Sequence, residues 1–138
     1  MASPELVAAV KAIMVNARAG DLSAAYAGYR SLFSSPGFAA CEAHEKRQAL
    51  RLMVYAKGVP DPPTPPMVDA HKVAIPLLEE LVKLHGEPAD HEMLGMSHVA
   101  AGNEKAAGEV FRAGLAIERE RNAQSDLCGA LMKRVSML

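Results

Sequence analysis

The chain has 138 residues, with 15 basic and 16 acidic side chains and a formal net charge of -1. The two signs are interspersed, which leaves no electrostatic footprint for nucleic acid or for an anionic membrane surface, and neither is an expected partner. Half of the residues are apolar, yet there are only three Tyr, three Phe and no Trp beside eight Met, so the core must come from small and flexible aliphatic side chains, a mixture that favours helix packed closely on helix.

Ser3-Pro4-Glu5 reads as a helix start, because Ser caps free amides, Pro tolerates the first turn and Glu suits the positive end of the helix dipole. The first helix is predicted to run to about residue 19, with Val7, Val10, Met14 and Ala17 on one face and Leu6 and Ile13 on a second. Gly20-Asp21 ends it and caps a second helix over 22–34, where Ala25, Tyr26, Tyr29, Leu32 and Phe33 form one stripe before Ser34-Ser35-Pro36-Gly37 stops it. A third helix is predicted over 38–57, with Lys46, Arg47 and Arg51 on a solvated face.

Five prolines in residues 58–66 exclude helix and predict an extended polyproline strap, reaching ~28 Å at ~3.1 Å per residue. A fourth helix follows over 67–85. Pro76 inside it predicts a kink, or a break before 77–84, since it removes one backbone bond and meets the Lys72 carbonyl. Gly86-Glu87-Pro88 closes that helix. Two more helices, 89–101 and 104–121, flank the Gly102-Asn103 turn, and a last helix over 125–138 carries Leu127, Leu131, Val135 and Leu138 in one seam, as a lid on the preceding pair.

Laying Gly20-Asp21 on Gly102-Asn103 places Ala25 on Ala107 and Tyr29 on Phe111, and Leu94-Gly95 supplies a large-small pair before the second turn. This pattern resembles the tetratricopeptide repeat, a helical hairpin of about 34 residues. The resemblance implies an all-α domain of antiparallel helical pairs stacked as a right-handed superhelix, about seven helices in all. Its repeats fall near 4–36, 38–86 and 88–121, with a capping helix over 125–138. In this family the first helix of each repeat lines a concave groove that binds peptides or helices. Carried across by position, the groove residues are Val7, Val10 and Met14 from the first repeat, Gln48, Leu52 and Tyr55 from the second, and Glu92, Met96 and Val99 from the third. The implied function is a non-enzymatic protein-protein interaction module that takes an amphipathic helix or peptide.

Other chemistry competes for the same chain. Cys41 and His44 lie one helical turn apart near a predicted helix start, where the dipole would lower a thiol pKa. They are the basis for a small enzyme or redox sensor, although buried Cys is the commoner role in helical cores. His85, His91 and His98 suggest a metal sensor, but their spacing lacks the close pair of a zinc site, and no metal or cofactor is expected. Lys57 followed by Pro60 and Pro63 fits a proline-groove ligand, against the plainer role of connector. Self-association through Leu127, Leu131 and Val135 would make a homodimer.

Two cysteines are too few for a disulfide framework and favour a reducing compartment. The apolar run over 6–15 is interrupted by Lys11 and lacks a basic leader, so it fails as a secretory signal. No run approaches the ~18 apolar residues of a membrane span. A cytoplasmic location is the expectation.

Overall fold

The computed structural model describes residues 3–138. The described residues are all-α, with eight helices and no strand: α1 (Pro4–Arg18), α2 (Leu22–Phe33), α3 (Pro36–Ala39), α4 (Ala43–Val54), α5 (Pro65–His85), α6 (Pro88–Ala100), α7 (Glu104–Asn122) and α8 (Asp126–Ser136). None is long and apolar enough to cross a membrane. The chain divides into two compact units, Met1–Leu77 and Leu78–Leu138, and the division falls inside α5, just after Pro76.

In the first unit, Ser3 Oγ accepts the Leu6 amide at 3.1 Å and Asp21 Oδ1 accepts the Ala24 amide at 3.1 Å, so the two expected caps start α1 and α2. Between them the chain turns at Gly20, whose φ of 80° favours glycine, and the Asp21 amide reaches back to the Asn16 carbonyl at 2.9 Å. The helices close into a hairpin through Gly28. A Cβ built there would lie 2.7 Å from Cγ1 of Ile13, a side chain only 2 % exposed. Most of the aromatic side chains gather in this unit: Tyr29 stacks on Phe33 at 5.6 Å, Phe33 meets Phe38 at 5.1 Å, and Tyr26 lies 6.4 Å from both Tyr29 and the buried ring of His71.

The helix predicted over 38–57 is divided. Ser35 and Pro36 start a helix as well as ending one: Ser35 Oγ accepts the Phe38 amide at 3.2 Å, giving the single turn of α3. A new start follows at Glu42, where a capping box pairs the Glu42 carboxylate with the Glu45 amide and the Glu45 carboxylate with the Glu42 amide. The strap is not a straight rod. It bends at Lys57-Gly58, where Gly58 takes a φ of 67°, and again at Asp61-Pro62. Val59 is half-buried and Met67 buried, which pins both ends of the strap. Helix α5 starts at Pro65, two residues early, since proline is tolerated in a first turn, and it runs unbroken through Pro76.

The second unit repeats the hairpin design. Gly102, with φ 85°, makes the turn, and the Asn103 amide bonds the His98 carbonyl at 2.8 Å, matching the Asp21 to Asn16 bond of the first. α6 and α7 approach through two glycines. Gly95 lies beneath the Phe111 ring, leaving no room for a Cβ, and a Cβ on Gly114 would stand 2.6 Å from Cβ of His91. α8 closes over this pair. Its Cys128 and Leu131 join Ala107, Phe111 and Leu115 in one buried cluster, with Leu127, Val135 and Met96 packed at its edge. Of the predicted seam, Leu127, Leu131 and Val135 lie in or against this cluster, whereas Leu138 is 45 % exposed.

The hairpins share a plan but invert its sizes. Ile13 occupies the position that Gly95 holds in the other hairpin, and Leu32 the position of Gly114. In the first unit the small partner of Ile13 is Gly28, and Ala9 lines the same cavity wall as Ile13 and Leu32. Each hairpin therefore sets a glycine against a large side chain, Gly28 against Ile13 and Gly95 against Phe111.

Candidate functional site

Helices α1 and α4 each turn apolar side chains to a common cleft of about 210 Å³ in the first unit. Val7, Val10, Gln48 and Leu52, four of the residues that the repeat resemblance assigns to a groove, line it together. Leu6 and Ala49 form buried parts of the wall, whereas Val7 is 40 % and Leu52 43 % exposed. Exposed apolar surface of this kind stays in water unless something covers it. Lys11 and Glu45 are the charged members of the lining.

Glu45 was no part of the expected groove, and it is the least ordinary residue there. It is 6 % exposed. Its Oε1 accepts the Glu42 amide at 3.3 Å, while its Oε2 is buried and has no hydrogen-bond partner. A carboxylate oxygen out of contact with water and unpaired is costly. An E-x-x-E pair at a helix start was the sequence signal for the capping box that draws Glu45 inward.

The other expected groove residues are not gathered into this cleft. Met14 is half-buried further along α1, and Tyr55, at the end of α4, is exposed but engaged in a contact of its own. In the second unit Val99 is exposed. Glu92 is buried on α6, and its Oε2 lies 3.3 Å from Nε of Arg134, so the charge is neutralised by α8. Met96 packs on the cluster that α8 completes. Two of the three third-repeat positions thus serve the capping helix instead of an open groove.

The histidines separate. His91 donates Nδ1–H to the Glu87 carbonyl at 2.8 Å, because that oxygen can only accept, and packs on Gly114. His98 takes a long contact of 3.4 Å from the Asn103 side-chain amide, and His85 is exposed at the end of α5. Each is accounted for by turn or helix packing. Among the described residues one group of three metal-competent side chains comes together, and it is Glu42, His44 and Glu45.

No family model matches the chain, and no curated protein or solved structure matches it.

Cys41 does not have the environment of an activated thiol. α3 ends before it and α4 begins after it, its Sγ donates to the Gly37 carbonyl at 3.3 Å, and burial, together with the charge of Glu45, pushes its pKa up. The expected lowering by a helix start is reversed, since Cys41 precedes the cap instead of sitting in the first turn. Cys128 is buried, and neither cysteine is in a disulfide.

Proposed function

We propose that this protein is a non-enzymatic binding module, related in plan to tetratricopeptide repeats, whose α1–α4 cleft takes the apolar face of a partner's amphipathic helix. The observation that carries the reading is the joint lining of one cleft by Val7, Val10, Gln48 and Leu52, with Val7 and Leu52 left exposed. An open apolar wall between two helices suits a third helix laid along it by anchors at i, i+3 and i+7. The raised pKa of Cys41 and the separate settings of the histidines favour binding over catalysis. Two free thiols agree with a cytoplasmic setting.

A fluorescein-labelled helical peptide with Leu at i, i+3 and i+7 tests the cleft by polarisation. Val7→Glu and Leu52→Glu place charge at exposed positions, so the fold is retained while affinity falls at least about tenfold. Equal affinity in wild type and both variants, or no binding of the peptide by wild type, discards the cleft as a helix-binding surface.

A further inference from the structure

The start of α4 brings one ring nitrogen of His44 and one carboxylate oxygen from each of Glu42 and Glu45 within 4.8 Å of one another. His44 Nδ1 is 3.4 Å from Glu42 Oε2. The capping box engages Glu45 through Oε1, which leaves its Oε2 over, and that oxygen is buried with no hydrogen-bond partner on a residue 6 % exposed. The two glutamates together carry the charge that balances a divalent cation, and a buried unpaired carboxylate oxygen is the kind of group that a cation satisfies.

We propose that Glu42, His44 and Glu45 form a binding site for a divalent transition-metal ion of the zinc type. One imidazole with two carboxylates is a ligand set that suits zinc or cobalt, whereas calcium and magnesium prefer oxygen alone. Metal–ligand bonds of about 2.0–2.2 Å need the donors closer than they stand. The side chain of His44, 58 % exposed, has the rotamer freedom to close on the two glutamates, whose carboxylates the capping box holds, Glu42 through the Glu45 amide and Glu45 through the Glu42 amide. The positive end of the α4 dipole opposes a cation with only about half a unit charge, less than either carboxylate contributes. Three protein ligands leave the remaining coordination positions to water.

Zinc chloride titrated into the metal-free full chain by calorimetry provides the test, with cobalt absorption as a second readout of the ligand set. Wild type is expected to bind one ion at micromolar concentration. His44→Ala is expected to bind at least about tenfold more weakly with an unchanged urea midpoint, because the side chain is exposed, and His85→Ala to bind as wild type does. Glu45→Gln, where it folds, loses binding as well. Wild-type affinity in His44→Ala, a cobalt spectrum identical in the two, or saturation of wild type only at millimolar zinc overturns the site.

Discussion

His71 sets a dependence of stability on pH that can be worked through from its surroundings. Its ring is 3 % exposed beside Tyr26, and burial lowers its pKa from 6.5 to about 4. The unfolded chain therefore binds the proton more readily than the folded one, so the stability held above the unfolded value is lost as pH falls from about 6.5 through about 4. The shift corresponds to ~3 kcal/mol when complete at 1.36 kcal/mol per unit, of which ~2 kcal/mol is gone by pH 5. Other groups titrate over the same range, so the relevant quantity is the difference between wild type and His71→Gln. Gln cannot be protonated here. Urea denaturation at pH 7.5, 6, 5 and 4 should show the gap between the two proteins shifting by ~2 kcal/mol in favour of the variant between pH 7 and pH 5. A gap constant across that interval would mean that the folded state accepts the proton at no cost, and the burial argument would fail.

The glycines give a second pair of outcomes, since Gly95→Ala drives a methyl into the Phe111 ring and should cost ~1–3 kcal/mol by overpacking. Gly129→Ala, on α8 with nothing within 4 Å, should instead stabilise by ~0.4–1 kcal/mol; thermal melts that moved both variants in one direction would contradict the packing. Phe111→Ala should cost ~3–5 kcal/mol in urea unfolding, because its ring, 1 % exposed, lies over Gly95 and inside the cluster that α8 completes. A loss below ~1 kcal/mol would place the ring outside the core.

Local signals carried the hairpins. Ser3 and Asp21 cap the helices they announce, and Gly20 and Gly102 adopt the left-handed conformation that their place in the turns demands. The break at residues 40–42 was harder to see because Ala39-Ala40-Cys41 holds no glycine or proline, and Glu42 is an uncommon first cap whose partner Glu45 lies a turn away. Pairwise compensation is invisible to any one-dimensional pattern. Ile13 stands where the second hairpin has Gly95, and what makes room for it is seen only when Gly28 is found opposite it. The candidate site was legible in part for the same reason. Val7, Val10, Gln48 and Leu52 were carried across from the repeat resemblance and line one cleft, whereas the pairing of Glu92 with Arg134 depends on where α8 comes to rest, and the inward turn of Glu45 on a box that competes with solvent for its carboxylate.

The inverted sizes of the two hairpins also make each helix selective for its own mate. A chain in which α1 met α7 would set Ile13 against Val110, which stands where α2 has the Gly28 that makes room for it. Two hairpins of like turn, encoded in one short polypeptide, could otherwise exchange helices while folding. Complementary bulk works here as a lock and key between neighbours in sequence, so a swapped chimera of the two hairpins should fold poorly even though every helix in it is native.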